Sequence, residues 1–246
     1  MSAFALSVIL VSPKTPGNIG SAARAMKNMG ANDLRIVAPR CNVLDSEAIA
    51  FSVHAEELVR QAPIFATLEE ATADLDFLMG TTARQRDDLP EPIFPSEVKP
   101  MLAAFQKVGV VFGREESGLT TDELARCQSV LRIPTSDYAS LNLAQAVLLC
   151  CYELLQAERS SGAVPVPVTE ATDLAPREQM ERFYEQLQDF ILKVNYTDQP
   201  RLKHKMRQMR KVFDQARMTE DQIRMLRGLW AQALWAAKSK KFIIED

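Results

Sequence analysis

Apolar positions along the chain repeat with two periods. Continuous apolar runs at 6–11 (LSVILV), 34–38 (LRIVA), 75–79 (LDFLM) and 108–112 (VGVVF) read as buried strands, with a shorter candidate at 64–66. Between them the spacing turns helical. In 18–30, Ile19, Ala22, Ala23, Met26 and Met29 fall on one face, and Gly30 stands where a helix ends in the left-handed conformation. Further helices are predicted at 46–61, 68–73, 96–107 and 121–126, while 80–95 is polar, proline-bearing and reads as a loop. Strands alternating with helices predict a mostly parallel α/β sheet covered on both faces. In such sheets ligands sit beyond the carboxyl ends of the strands.

The stretch 131–149, LRIPTSDYASLNLAQAVLL, is the most informative. A short strand at 131–134 leads into a polar loop. Ser140 is a suitable N-cap, and an apolar helix follows with Leu141, Leu143, Ala144, Val147 and Leu148, running on to Arg159. A strand, a tight loop and a helix start gather unpaired backbone N–H groups, which can hold a polar ligand. Beyond it, 161–176 contains three prolines and no periodicity, and reads as a linker between a domain at 1–160 and a helical one at 177–246. The second has three amphipathic patterns: Met180, Phe183, Tyr184, Leu187, Phe190, Ile191 and Val194; Leu202, Met206, Met209 and Phe213; and Ile223, Leu226, Trp230 and Leu234, opened by a capping box from Thr219 to Gln222.

Composition narrows the class. The chain has 246 residues, 47% hydrophobic and 25% charged, as in ordinary globular proteins. No apolar run approaches the ~20 residues of a membrane span, and MSAFALSVILVSPK lacks the basic start of a signal peptide, so a cytoplasmic protein is expected. Cys41, Cys127, Cys150 and Cys151, with His54 and His204, show no metal-ligand spacing, so no metal site is expected. Net charge is −3, but residues 170–246 carry 15 Lys/Arg against 12 Asp/Glu, leaving −6 for the rest. The basic excess lies in RLKHKMRQMRK (201–211), where Lys203, Lys205, Arg207, Arg210 and Lys211 form a stripe suited to RNA phosphates or to a solvated helix flank.

Three stretches taken in order carry a family resemblance: PGNIGSAARAMKNMG (16–30), VFGREESGLTTDEL (111–124) and IPTSDYASLNLAQAV (133–147). Together they resemble the three motifs of the SPOUT RNA methyltransferases, in the SpoU branch, over about residues 6–159. The resemblance implies a Rossmann-like sheet with a C-terminal trefoil knot, an exception to the rule that chains are not knotted, followed here by a small all-helical extension. It implies S-adenosyl-L-methionine as methyl donor, a ribose 2′-hydroxyl of RNA as acceptor, and a homodimer joined through the third motif. Cofactor contacts are carried over to Thr81, Thr82, Ala83, Gly113, Ile133, Ala139, Ser140 and Leu141. The catalytic set implied is Arg24, Asn18, Glu115, Ser140 and Asn142, whereas Arg114 and Glu116 read as solvated charges. A guanidinium at position 24 suits a phosphate clamp better than a general base, because arginine's pKa exceeds ~12.

A knot domain followed by a helical extension is similar to the tRNA 2′-O-methyltransferases that act on cytidine or uridine 32 of the anticodon loop. In that reading the helices bind tRNA, support the dimer, or do both. The alternatives are another tRNA or rRNA nucleotide, or a non-catalytic RNA-binding member of the fold. A dinucleotide site fails on detail, since PGNIGSAARAM lacks G-x-G-x-x-G and strand two ends in Pro39-Arg40 rather than an acidic residue.

Overall fold

The computed structural model describes residues 4–83, 91–102, 104–136, 140–159 and 174–238. They divide into two compact units, Met1–Ala171 and Thr172–Asp246. The first is built on strands β1 (Ala5–Val11), β2 (Asp33–Val37), β3 (Ile64–Phe65), β4 (Phe77–Thr81), β5 (Lys107–Phe112) and β6 (Ser129–Leu131). All pairings are parallel, in the order β3-β2-β1-β5-β4-β6. The helices of this unit are α1 (Pro16–Met29), α2 (Ser46–Ser52), α3 (Glu56–Gln61), α4 (Leu68–Thr72), α5 (Lys99–Leu102), α6 (Thr121–Leu124) and α7 (Leu143–Arg159). The expected parallel α/β sheet is present; the path through 137–139, which the implied knot would use, lies outside the described residues.

Successive side chains of a strand point to opposite faces, and β1 is buried on both. Ile9 and Val11 pack with Leu68 of α4 and Leu124 of α6, while Val8 and Leu10 are buried on the other side. Helix α1 follows the expected face, with Ile19, Ala22, Ala23 and Met26 fully buried. It ends at Gly30 with φ 88°, as anticipated for a glycine at that position. Gly20 is required by packing: a Cβ there would stand 2.0 Å from the Ala48 carbonyl oxygen of α2.

Several boundaries move, each for a local reason. The helix expected over 46–61 breaks at Val53 (φ 51°), because Ser52 Oγ donates to the Ile49 carbonyl, 2.7 Å away, that the next helical N–H would use. The helix expected over 96–107 is a 3₁₀ turn at Pro95–Glu97 and the single turn α5, since Pro95 and Pro100 carry no N–H and Lys107 already belongs to β5. Strand β6 ends at Leu131, not at 134: its partner β4 stops opposite it at Thr81, Arg132 N bonds instead to the Ile93 carbonyl at 3.0 Å, and Pro134 has no N–H to continue a ladder. The third-motif helix begins at Leu143, and Asn142 caps it in place of Ser140 by accepting from Ala144 N at 2.9 Å.

The second unit holds α8 (Arg177–Lys193), α9 (Gln199–Gln215) and α10 (Glu220–Lys238). Phe183, Tyr184, Leu187, Ile223 and Trp230 form its core, with Phe183 4.7 Å from Trp230 and 5.0 Å from Phe213 between ring centroids. The Thr219–Gln222 capping box is formed in both directions, at 3.0 and 3.3 Å. Arg177 is 2% exposed. It pairs with Asp214 at 2.9 Å and Glu181 at 3.0 Å, and Tyr184 Oη donates to the same Asp214. Arg210 also turns inward, onto Glu181 at 2.7 Å and over the Tyr184 ring. The basic stripe therefore loses Arg210 to the packing of α8 on α9, whereas Lys203 and Lys211 stay exposed.

Candidate active site

The carboxyl ends of β4, β5 and β6 enclose a cavity of about 270 Å³. Thr81, Thr82 and Ala83 line it after β4, Gly113 to Leu119 after β5, Leu131 and Ile133 after β6, and Ser140, Leu141, Leu143 and Ala146 at the start of α7. Seven of the eight positions carried over for the cofactor thus meet in one cavity, and the eighth, Ala139, lies outside the described residues. Thr81 Oγ1 donates to the Val111 carbonyl at 2.9 Å and Thr82 N to the Leu131 carbonyl at 2.9 Å, which holds the three strand ends together. Gly113 admits no side chain, since a Cβ would stand 2.1 Å from the Gly118 carbonyl carbon. Gly118 takes a positive φ of 69° to close that loop.

Beside the cavity, β1 and β5 are neighbours whose outgoing loops lead to opposite sides of the sheet, the topological position where α/β proteins bind ligands. Glu115 bridges this gap. It accepts from Lys14 N at 3.1 Å, Thr15 N at 3.0 Å and Asn18 Nδ2 at 3.2 Å. Asn142 Nδ2 donates to Asn18 Oδ1 at 2.8 Å. The carboxylate only accepts, so Asn18 must offer its NH₂ group to it and its oxygen to Asn142. Asn142 then has its own oxygen left for the N–H groups of α7. One charge orients two amides in series. Burial raises the Glu115 pKa, but bonds from its own backbone, from Asn18 and from the Thr15 and Lys14 backbone together outweigh it and hold the carboxyl below its usual range.

Ser140 lines the cavity and is exposed. Arg24 does not line it: it lies on the solvent side of α1, six residues beyond Asn18. At ~100° per residue those two side chains point about 120° apart, so Arg24 faces away from the Glu115–Asn18–Asn142 network.

Arg114 is not the solvated charge expected: it makes a two-pronged pair with Glu123, at 2.9 and 3.0 Å. Glu116 is exposed, as expected, and meets Arg40 at the surface at 2.7 Å. The available signal was Thr120-x-x-Glu123, a capping box written in the sequence, which the structure forms. Among the described residues, no cluster of His, Cys, Asp or Glu could hold a metal ion, and no helix is long and apolar enough to cross a membrane.

The SpoU rRNA Methylase family profile matches residues 5–152, and that of the tRNA methyltransferase TrmJ C-terminal domain matches 178–242. The tRNA (cytidine/uridine-2′-O-)-methyltransferase TrmJ of Sodalis glossinidius is 37% identical over 229 residues, 91% of this chain and 89% of its own. The tRNA (cytidine/uridine/adenosine-2′-O-)-methyltransferase TrmJ of Pseudomonas aeruginosa is 32% identical over 254 residues, 98% of both chains. The crystal structure of TrmJ from Z. mobilis ZM4 superposes with a TM-score of 0.81 at 33% identity, covering 92% of this chain and 98% of that one. The chain belongs to the SpoU methylase family and carries, after that domain, a C-terminal domain of the TrmJ type.

Proposed function

We propose that the chain transfers a methyl group from S-adenosylmethionine to a ribose 2′-hydroxyl of tRNA, at cytidine or uridine 32 of the anticodon loop. The observation that carries this reading is the convergence of three motif loops on one cavity, with the Glu115–Asn18–Asn142 network at its edge. The relatives' printed activities supply the acceptor.

The cavity fits the cofactor. Leu131, Ile133, Leu141 and Leu143 provide apolar walls for a purine, and Ala83, Gly113 and Gly118 let backbone groups approach a ligand. When bound, S-adenosylmethionine supplies an electrophilic methyl group on a sulfonium. Arg24 orients the ribose-phosphate and stabilises charge developing on the oxygen, as a planar two-pronged donor. Glu115 does not serve as the proton acceptor in this reading, because its oxygens already accept three bonds and its carboxyl is held acidic. It positions the start of α1.

Because Arg24 is exposed on α1 and does not line its own chain's cavity, we place it toward the cavity of a partner protomer. The exposed Leu148, Leu149 and Tyr152 of α7 support a homodimer joined there. The C-terminal unit, with its exposed lysines, would contact tRNA in the cytoplasm.

Calorimetric titration with S-adenosylhomocysteine tests the cofactor half: micromolar-scale binding unaffected by chelator is expected, and tight nicotinamide dinucleotide binding in its place would contradict it. Incorporation of labelled methyl into unmodified tRNA, as 2′-O-methylribose after digestion, tests the acceptor half.

A further inference from the structure

We infer that Arg114 and Glu123 are a positioning pair that sets the shape of the cofactor cavity and, through the neighbouring Glu115, ties it to the network on the acceptor side. The inference rests on reading the cavity as the S-adenosylmethionine site. The loop 113–119 forms one whole wall of that cavity. Two backbone bonds hold it internally, Arg114 N to Gly118 O at 3.3 Å and Gly118 N to Arg114 O at 2.8 Å. Its outer anchors are side chains of adjacent residues that reach in opposite directions, Glu115 toward the start of α1 and Arg114 toward α6.

The α6 end of this arrangement is rigid. Glu123 Oε2 accepts from Thr120 N at 2.7 Å as well as from Arg114, and Thr120 Oγ1 accepts from Glu123 N in return. The next residue, Leu124, is fully buried in the core beside Val130 and Leu119. Arg114 is thus fastened to a capped, core-anchored turn rather than to another mobile side chain. Both partners are mostly shielded, 24% and 18% exposed in their side chains, and the geometry is two parallel N–H···O bonds. A lysine ammonium can supply the charge at position 114 but not that fork. With the fork lost, Gly113–Leu119 keeps its hairpin but loses its fixed tilt against the strands, and cofactor binding bears the cost first.

Arg114→Lys and Glu123→Gln test this, the second because glutamine retains an acceptor for Thr120 N. In each variant and in the parent chain, affinity for S-adenosylhomocysteine is measured by calorimetry, affinity for tRNA by filter binding at fixed salt, and the melting temperature by scanning calorimetry. The expected result is a rise in the S-adenosylhomocysteine Kd of about tenfold for Arg114→Lys and a smaller rise for Glu123→Gln. The tRNA Kd should stay within about twofold and the melting temperature within a few degrees. Variants that bind S-adenosylhomocysteine as the parent does would overturn the inference and leave the cofactor reading standing. A parallel fall in tRNA affinity and melting temperature would overturn it too, since the pair would then be a general stabiliser. A parent chain that does not bind S-adenosylhomocysteine would overturn the cofactor reading and this inference together.

Discussion

Glu115 shows how one residue's chemistry propagates. An acceptor-only carboxylate sets the direction of the Asn18 amide, which sets that of Asn142, which in turn caps α7. Its pH behaviour follows in sign. The folded carboxyl titrates below the ordinary unfolded value of ~4.3, so its contribution is fully present above that value and is lost as pH falls through the folded one. Between pH ~6 and ~9 the parent enzyme should therefore show no limb from Glu115. Glu115→Gln should lower kcat about 10- to 100-fold across that range without changing the profile's shape. A neutral-pH limb in the parent that disappears in the variant would make Glu115 the proton acceptor. Arg24 calls for a different readout. Arg24→Ala should leave S-adenosylhomocysteine affinity within about twofold while methylation falls by roughly 10²- to 10⁴-fold. Methylation near the parent rate would remove Arg24 from the catalytic assignment.

At the scale of elements, much was legible in the sequence where a local rule and the tertiary fold agree. Gly30 closes α1 and Thr219–Gln222 opens α10 as read, because caps depend on residues within one turn. The misplacements came from competition that a sequence does not display. Asn142 took the cap from Ser140 because Glu115, in another motif, orients its amide through Asn18. Arg210 leaves the basic stripe because Glu181, a partly buried carboxylate on α8, and the Tyr184 ring draw its guanidinium inward. That cluster is testable. Asp214→Ala removes one of the two carboxylates that pair with Arg177, which is 2% exposed, and the acceptor of Tyr184 Oη. Arg177 keeps Glu181, so the cost is that of losing one partner at a buried site, about 1–3 kcal/mol. Chemical denaturation followed by the near-ultraviolet signal of Trp230 and Trp235, the chain's two tryptophans, should show the C-terminal unit unfolding at clearly lower denaturant, and an unchanged midpoint would mean that Asp214 contributes little. Helix α7 makes a further case. Val147, Cys150, Cys151 and Leu154 are buried, while Leu149 is 39% and Tyr152 46% exposed. Leu149→Glu should therefore leave the protomer folded by circular dichroism yet abolish both dimer and activity. A monodisperse monomer, by light scattering, that still methylates tRNA would refute a shared site.

On the scale of the whole molecule, the two units divide the charge unevenly, with the net positive share in 170–246. Deleting 172–246 should weaken tRNA binding and flatten its salt dependence. On a duplex, each phosphate no longer neutralised by the protein reduces the slope of log K against log salt by about 0.9 in magnitude. The slope is read from binding at several salt concentrations, and an unchanged slope would place the RNA-binding surface in the first unit. The parallel sheet and the position of the site at its carboxyl edge could be read from periodicity alone. The identity of the cofactor and of the RNA could not, because the residues that line the cavity act mainly through backbone and small side chains, which leave no distinctive composition. Those came from the three motifs taken together and from the relatives. The proposed activity is site-specific 2′-O-methylation. It is tested most directly by incubating unmodified tRNA with the full chain and S-adenosylmethionine, then mapping ribose methyl groups by mass spectrometry of nuclease fragments. One 2′-O-methyl group is expected, at nucleotide 32, in tRNAs with cytidine or uridine there, absent when Arg24→Ala replaces the parent. Methylation on a base, or no methylation of any tRNA by a chain that binds the cofactor, would contradict it.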